Sequence, residues 1–330
     1  MLKQKLIDKY NRHLNYLRIS ITDRCNLYCM YCMPSGFISR LPHNAVLRYE
    51  EIIRIIKVGI SLGISKIRIT GGEPLVRKGV FEFLGKLADM DGLTDIALTT
   101  NAVFLKDNIE KIKTAGIKRI NISLDTLSRN KYKKITGHDR FDRVWEGIEL
   151  AYKNGFDPIK INMVALSGVN DDELSDFAGL SFAYPFHIRF IEYMPIGKSR
   201  MKYGPLILVP EIKKRISGIG KLISVKNSIN DGPAERYRFE GAKGEIGFIG
   251  ALSHHFCNRC NRLRLTASGQ LRPCLLSDHF EDLKGPLRKG CSDEELAEIF
   301  LAAVHHKPSD HNLSTSNPEK VLIQMSSIGG

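Results

Sequence analysis

The sequence predicts an α/β protein built as an incomplete (β/α)6 barrel of the TIM type, followed by a C-terminal α+β domain. Three observations predict this class: six short β-branched runs lie between residues 16 and 193, helical periodicity separates them, and hairpin-like segments follow beyond residue 220. Strands that alternate with helices about every 30 residues are typical of βαβ units and a parallel sheet. Because a closed eight-stranded barrel takes about 250 residues and the repeat ends near residue 195, we expect six units.

The predicted strands are short, rich in β-branched residues, and followed by polar or glycine-bearing loops, which is typical of buried strands. They are Tyr16–Thr22, Lys66–Thr70, Asp95–Thr100, Arg119–Asp125, Pro158–Val164 and His187–Tyr193. Between them, apolar residues recur at the three- and four-residue spacing of a buried helix face. These faces are formed by Ile52, Ile53, Ile56 and Ile60, by Ile109, Ile112 and Ala115, by Val144, Ile148 and Ala151, and by Leu174, Phe177 and Leu180.

The strand–helix alternation stops after Pro195. Three later segments have the character of strands, namely Arg236–Phe239, Glu245–Ile249 and Arg262–Thr266. We therefore expect residues 1–220 to form the partial barrel and residues 221–330 to form the C-terminal domain.

The composition excludes several classes of protein. With 43% hydrophobic and 26% charged residues, the chain is neither disordered nor fibrous. No stretch approaches the roughly 18 uncharged apolar residues of a membrane helix, and the first residues lack the apolar block of a secretory signal. We expect a cytoplasmic protein without a membrane partner. The net charge of +13 indicates an acidic substrate or partner.

Three cysteines, Cys25, Cys29 and Cys32, directly follow the first predicted strand. This position is at the C-terminal mouth of a barrel, where such folds carry out their chemistry. A structural zinc ion takes four protein ligands, whereas a 4Fe–4S cube held by three cysteines keeps one iron free for another molecule. The alternative is three structural or coincidental thiols.

The CxxxCxxC spacing of these cysteines resembles that of the radical S-adenosylmethionine (SAM) superfamily. The resemblance implies that the free iron chelates SAM and that one electron from the cluster cleaves it to a 5′-deoxyadenosyl radical. Gly71 and Gly72, followed by Glu73 and Pro74, resemble the superfamily's GGEP motif, which cradles the SAM amino group. Paired glycines by themselves indicate only that something approaches the backbone closely.

Four predicted strands carry a cation among apolar neighbours: Arg18, Arg68, Lys160 and Arg189. Strands covered on both faces are normally apolar throughout, and a buried charge is costly without a partner. One reading pairs these cations with Glu73, Asp125 or Glu192, but those acids are too few for all four. The cations therefore predict an anionic ligand.

Arg262 and Arg264 alternate with leucines and so share one face of a strand. A solvated face explains this pattern equally well. Six cations around one cavity would, however, suit a compact polyanion such as a nucleoside triphosphate, because arginine forks match phosphate oxygens. No GxxxxGK[ST] phosphate loop is present.

Cys257, Cys260 and Cys274 form a second triplet. One reading is a zinc site that is completed by Cys291, His254, His255 or His279. The other is a second 4Fe–4S cluster in the C-terminal domain, whose open iron holds a substrate. Cys291 has no further assigned role and is expected to be a plain core or surface thiol.

Four features together resemble the GTP 3′,8-cyclase family, also called molybdenum cofactor biosynthesis protein A. They are CxxxCxxC, CxxC followed after thirteen residues by a further Cys, Cys-Asn-Arg-Leu-Arg-Leu-Thr, and a terminal Gly-Gly. The resemblance runs from about residue 14 to the last residue. It implies a radical SAM lyase that converts GTP to (8S)-3′,8-cyclo-7,8-dihydroguanosine 5′-triphosphate, the first step of molybdenum cofactor biosynthesis. In the family, hydrogen is abstracted from C3′ of the ribose, and the carbon radical attacks C8 of guanine.

The resemblance also implies a role for each matching residue. Cys25, Cys29 and Cys32 would hold the first 4Fe–4S cluster, and Cys257, Cys260 and Cys274 the second. SAM would contact Tyr31, Gly72, Ser123 and Met194. GTP would contact Arg18, Arg68, Thr99, Lys160, Arg189, Arg262 and Arg264. Arg18, Gly329 and Gly330 would assist catalysis.

The implied partners are GTP, SAM, an electron donor of the reduced flavodoxin or ferredoxin type, and a cyclic pyranopterin monophosphate synthase that takes the product. The resemblance implies a homodimer and no nucleic-acid partner. Two alternatives stay open: a radical SAM maturase that modifies peptides with the help of an auxiliary cluster, and a zinc-ribbon protein that binds nucleic acid.

Overall fold

The computed structural model describes residues 5–32, 40–194, 196–197, 206–226, 232–253, 256–311 and 324–329. Its strands are β1 (Tyr16–Ser20), β2 (Lys66–Thr70), β3 (Asp95–Thr100), β4 (Arg119–Ser123), β5 (Ile159–Ala165), β6 (His187–Glu192), β7 (Leu222–Val225), β8 (Glu235–Phe239), β9 (Glu245–Ile249), β10 (Arg262–Leu265), β11 (Gln270–Arg272) and β12 (Glu281–Asp282). Its helices are α1 (Tyr49–Ser61), α2 (Val80–Ala88), α3 (Leu105–Thr114), α4 (Arg129–Thr136), α5 (Phe141–Lys153), α6 (Leu174–Ala183), α7 (Val209–Ile216), α8 (Lys284–Arg288), α9 (Asp293–His305) and α10 (Met325–Ile328).

The first six strands pair in parallel in their order along the chain, from β1 to β6. Helices separate them, so the expected partial TIM-type barrel of six units is confirmed. Every predicted strand and all four predicted helix faces overlap an observed element, with ends that differ by one or two residues in several cases. Gly63, Gly116 and Gly155, which follow α1, α3 and α5, have positive φ, as expected of residues that end helices.

The C-terminal strands extend both edges of the barrel sheet. At one edge β10 pairs in parallel with β1, and β11 and β12 follow it antiparallel. At the other edge β9 pairs in parallel with β6, and β8 and β7 continue antiparallel. Both flanks are therefore part of one sheet with the barrel, and a division of the chain near residue 220 stays a prediction.

Side chains of β1 alternate between the helix layer and the interior of the barrel. Leu17 and Ile19 are fully buried in the core with Ile52 and Ile56 of α1. Arg18, between them, faces the interior of the barrel. Successive strand residues point to opposite sides, so the barrel keeps an apolar outer layer while its interior carries charge. Among the described residues, no helix combines the length and apolarity needed to cross a bilayer.

Candidate active site

The first cysteine triplet lies in the loop that follows β1. The amide N–H of Leu27 donates to Sγ of Cys25 at 3.4 Å, and the Asn101 side chain donates to the same sulfur at 3.7 Å. The Cys32 amide donates to the Cys29 carbonyl at 3.0 Å, which closes the loop around the sulfurs. All three cysteines are free. N–H groups directed at cysteine sulfur are typical of iron–sulfur sites.

The environment of this triplet suits thiolates only in the presence of a metal centre. Burial, followed by the charge of Cys25, raises the pKa of Cys32 to about 12. Burial and the Cys32 charge raise the pKa of Cys29. The three sulfurs are thus close enough to repel one another when ionised. A bound metal cluster supplies the positive charge that deprotonates such thiols, so these residues fit a cluster held by three cysteines.

The second triplet has a similar construction. The Leu276 amide donates to Sγ of Cys274 at 3.4 Å, and the Cys260 amide donates to the Cys257 carbonyl at 3.2 Å. Burial raises the pKa of Cys257 to about 12. At Cys260 burial is outweighed by nearby positive charge, chiefly that of Lys307, which lowers the pKa to about 7. This site also fits a cluster with three cysteine ligands.

The residues considered as a fourth zinc ligand have different surroundings. Cys291 lies at the start of α9 and does not line the cavity, and its carbonyl accepts from Arg54 at 2.6 Å. His279 contacts Glu281 at 3.0 Å. His254 and His255 lie outside the described residues. Neither Cys291 nor His279 therefore completes the second triplet.

Both triplets line the same cavity at the C-terminal mouth of the barrel. Sixteen of the nineteen residues that the sequence singles out line it: Arg18, Cys25, Cys29, Tyr31, Cys32, Arg68, Gly72, Thr99, Ser123, Arg189, Met194, Cys257, Cys260, Arg262, Arg264 and Cys274. The tertiary structure thus brings two segments more than two hundred residues apart into one site.

Three of the nineteen residues are not in that lining. Lys160 is buried on β5, on the same face as the cavity residue Asn162 but two residues before it. Since strands rise about 3.3 Å per residue, Lys160 lies roughly 7 Å before Asn162 along β5, and the register places it beside Asn121 of β4. Gly329 belongs to the C-terminal tail and contacts the cavity residue Arg264. Gly330 lies outside the described residues.

Gly72 allows the loop after β2 to touch the cysteine loop. A Cβ on Gly72 would lie 2.4 Å from the carbonyl oxygen of Arg24, inside any normal contact. The Gly72 amide donates to the Thr22 carbonyl at 2.7 Å, and the Glu73 amide donates to that of Arg24 at 2.8 Å. The close approach that glycine permits here is therefore to the chain itself, and it aligns the two loops at the cavity.

The residues expected at SAM lie around the first triplet. The Tyr31 hydroxyl donates to a carboxylate oxygen of Asp125 at 2.6 Å, and the Val164 amide donates to the other at 2.9 Å. Burial raises the pKa of Asp125 to about 6 despite these hydrogen bonds. Ser123 ends β4, and Met194 packs beside the tail.

Strand register collects the arginines at one level of the barrel. Arg18 on β1 pairs with Arg68 on β2 and with Arg264 on β10. Paired residues of parallel strands point to the same face. Arg262 lies two residues before Arg264 on β10 and pairs with Tyr16 of β1. Its guanidinium carbon lies 5.8 Å from the centre of the Tyr16 ring.

Four of the cavity arginines have no acidic partner among the residues that the structure describes. In the described part of the chain, no carboxylate forms an ion pair with Arg68, Arg189, Arg262 or Arg264. Burial and the charge of Arg68 lower the pKa of Arg189 to about 9. Burial and the charge of Arg262 lower that of Arg264 to about 10. The cavity is therefore strongly electropositive.

The acids considered as partners of the cations are engaged elsewhere. Glu73 accepts from the amides of Leu75 and Asn101 at 3.1 and 2.7 Å and from a threonine hydroxyl at 2.8 Å. Burial raises its pKa to about 7. Glu192 accepts from the Val209 and Leu252 amides at 2.8 and 2.7 Å. Pairing with these carboxylates therefore does not account for the strand cations.

The C-terminal tail returns to the cavity. The Gly329 carbonyl accepts from Nη1 of Arg264 at 3.4 Å. A Cβ on Gly329 would lie 2.1 Å from Cγ2 of Thr70, and its φ is +72°. Ile328 is fully buried in a small apolar cluster with Ile196. The tail is thus packed against the end of β2, beside the arginines.

Several cavity residues were not singled out from the sequence. They are Tyr16, Asn101, Asn162, Phe256 and His311. Tyr16 and Asn162 lie two residues from a predicted cation on the same strand, so strand alternation could have found them. Asn101 directly follows β3, at the mouth of the barrel. Phe256 and His311 come from irregular segments, which carry no comparable signal.

Comparison with known proteins gives concordant matches. Residues 19–180 match the family model of the radical SAM superfamily, and residues 186–313 match Molybdenum Cofactor Synthesis C. A protein named GTP 3′,8-cyclase from Thermodesulfovibrio yellowstonii is 50% identical over 325 residues, which are 98% of this chain and 99% of that protein. A protein of the same name from Moorella thermoacetica is 48% identical over 323 residues, with the same coverage. Streptococcus suis SuiB bound to S-adenosylmethionine is similar in fold, with a TM-score of 0.62 at 15% identity over 92% of this chain and 77% of that chain.

Proposed function

This chain belongs to the GTP 3′,8-cyclase family of the radical SAM superfamily, and from that membership we propose how its residues divide the work. It is a lyase that converts GTP to (8S)-3′,8-cyclo-7,8-dihydroguanosine 5′-triphosphate, the first step of molybdenum cofactor biosynthesis. Its cofactors are two 4Fe–4S clusters and SAM. The observation that carries the assignment is that both cysteine triplets line the same electropositive cavity.

The first triplet, Cys25, Cys29 and Cys32, holds the cluster at which SAM binds. When bound, this cluster supplies the electron that cleaves SAM and so starts hydrogen abstraction from C3′ of the ribose. The chain's own contribution here is positioning. Four residues contact SAM: Tyr31, Gly72, Ser123 and Met194.

The second triplet, Cys257, Cys260 and Cys274, would hold the second cluster at the same cavity, and that cluster would bind the guanine. Between the triplets, the cations bind the triphosphate through charge-assisted hydrogen bonds. The GTP contacts are Arg18, Arg68, Thr99, Lys160, Arg189, Arg262 and Arg264.

Arg18 and the tail residues Gly329 and Gly330 act in catalysis. Arg18 lies in register between Arg68 and Arg264, at the centre of the cationic row. A compact glycine tail excludes water from this part of the cavity without adding a side chain that competes with the substrate.

Further assignments follow from the family. The enzyme works in the cytoplasm as a homodimer, receives electrons from a reduced flavodoxin or ferredoxin, and passes its product to a cyclic pyranopterin monophosphate synthase. Residues 1–220 form the radical SAM unit, and residues 221–330 bind the substrate and the second cluster. Neither a nucleic acid nor a membrane is a partner.

Anaerobic turnover with SAM and GTP that carries deuterium at C3′ tests the proposal. We expect 5′-deoxyadenosine formation to rise strongly above the slow uncoupled cleavage of SAM when GTP is added, and the 5′-deoxyadenosine formed with GTP to carry the deuterium. GTP-independent 5′-deoxyadenosine that rises with an added peptide would instead favour a peptide maturase.

Iron analysis provides the structural control. Reconstituted protein should hold about eight irons and eight sulfides, and Cys274→Ser should lose about half. Cys291→Ser is the matched control, because Cys291 does not line the cavity, and it should lose none. Zinc without sulfide would overturn the assignment.

A further inference from the structure

Lys307 lies directly behind the second cysteine triplet, just beyond the end of α9. Its side chain is buried, with the residue 2% exposed. Its Nζ donates to the carbonyl oxygens of Pro273 at 2.7 Å and Arg262 at 2.9 Å, and lies 3.6 Å from Sγ of Cys260. Pro273 immediately precedes Cys274. Of the three N–H donors of the ammonium group, one is therefore directed at the sulfur of Cys260 and two at backbone carbonyls close to the second triplet in sequence.

A buried ammonium group is costly unless an anion neutralises it. Across the described ranges, no carboxylate lies within ion-pair distance of Lys307, and Arg262 adds a further positive charge nearby. The group within reach of its Nζ that would carry negative charge is the sulfur of Cys260, at 3.6 Å, because a cysteine binds a metal cluster as the thiolate.

The first triplet has a different kind of support. Its hydrogen-bond donors to sulfur among the described residues are the Leu27 amide and the Asn101 side chain, and both are neutral. The two triplets therefore differ in the charge placed directly against a ligand sulfur. A fixed cation is present at the second.

Resting on the proposed function, in which the second triplet holds a cluster, we propose that Lys307 is a positioning residue that neutralises part of that cluster's negative charge and raises its reduction potential. Uptake of one electron makes a cluster more negative by one unit, and a fixed neighbouring cation stabilises this added charge. Hydrogen bonds to the sulfurs and local charge set cluster potentials. Groups behind the ligands also hold them in place.

Redox titration followed by electron paramagnetic resonance tests this proposal. The background is the full chain with Cys25→Ala, Cys29→Ala and Cys32→Ala, so that only the second cluster assembles and titrates. Lys307→Met removes both charge and donor, Lys307→Gln removes the charge and keeps a donor, and Lys307→Arg keeps the charge. No GTP or SAM is added.

At the midpoint potential of the Lys307 protein, we expect the reduced-to-oxidised ratio to fall at least tenfold in Lys307→Met and Lys307→Gln. For a one-electron couple this corresponds to a midpoint about 59 mV lower. Lys307→Arg should keep most of the original ratio. If the neutral variants assemble no cluster while Lys307→Arg does, the charge is needed to hold it, which also supports the proposal.

Unchanged potentials in the neutral variants would overturn it. So would equal loss of the cluster in all three variants, since packing would then explain the effect. Absence of the cluster even with Lys307 intact would instead refute the proposed function. The two failures are therefore distinguishable.

Discussion

Substitution of Gly329 by alanine should lower the turnover rate without changing the iron content of either cluster. The tail carries Gly329 to the end of β2, where a new Cβ would lie 2.1 Å from Cγ2 of Thr70. The backbone at this position has φ +72°, which L-residues with a side chain rarely adopt. Both effects act on the docked tail, and neither cysteine triplet lies next to it in sequence.

The magnitude follows from two terms. A positive-φ backbone outside the left-handed helical region costs a non-glycine residue about 1–3 kcal/mol, which alone lowers the population of the docked tail by a factor of about 5–150. A distance of 2.1 Å is far inside van der Waals contact, and alanine has no rotamer that relieves it, so the tail or Thr70 must shift. A shift of the tail moves Ile328 out of part of its buried site. We expect turnover to fall by at least about tenfold.

Anaerobic initial rates of GTP-dependent 5′-deoxyadenosine formation measure the effect, with iron content as the check on the clusters. Gly241→Ala is the matched control, because Gly241 has φ +76° and no atom within 4 Å of its added Cβ. Adding Thr70→Ser removes the methyl group that Ala would meet, so the double variant should recover part of the activity. Turnover in Gly329→Ala equal to that in Gly241→Ala would refute the reasoning.

Two further predictions concern binding and stability. Arg189→Ala should raise the KM for GTP about tenfold or more, because a charge-assisted hydrogen bond contributes about 1.5–3 kcal/mol. Reductive cleavage of SAM in the absence of GTP should survive in this variant. Equal loss of GTP turnover and of GTP-independent SAM cleavage would contradict the role of Arg189 in GTP binding. Burial by itself would raise the pKa of Glu51, but its hydrogen bond and ion pair with Arg288 hold that pKa at about 2. The ionised carboxylate therefore stabilises the fold above about pH 4.3, the ordinary pKa of a glutamate. This stabilisation is lost as the pH falls towards 2. Urea denaturation should show that Glu51→Gln lowers the free energy of unfolding by about 2 kcal/mol at pH 7 and by much less near pH 2. The control is Glu50→Gln, because Glu50 is exposed. An equal effect of both variants would count against the ion pair between Glu51 and Arg288.

The first cysteine triplet shows what can be predicted from the spacing of neighbouring residues alone. Three cysteines within eight residues of one loop are held together by that loop, so their spacing indicated a shared site before any fold was known. The same holds for the strand cations. An arginine such as Arg18 within an apolar run is unusual wherever the strand lies, because its charge must find a partner.

The acids illustrate where such reasoning fails. Glu73 and Asp125 had the right charge to pair with the strand cations, yet both accept from amides and hydroxyls at loop ends. Their nearest donors are set by how loops meet at the barrel mouth. Residue type does not reveal that arrangement.

The amino-acid order by itself therefore determined the six barrel strands, four of the helices, the cysteine sets and the presence of buried positive charge, because each depends on residues close together in the chain. The tertiary structure decided which distant groups meet. It placed Arg264 in register with Arg18, folded Gly329 against Thr70 and buried Lys307 behind Cys260. Such contacts depend on sheet register and on long-range packing, whose free energy is shared among many residues and leaves no local pattern.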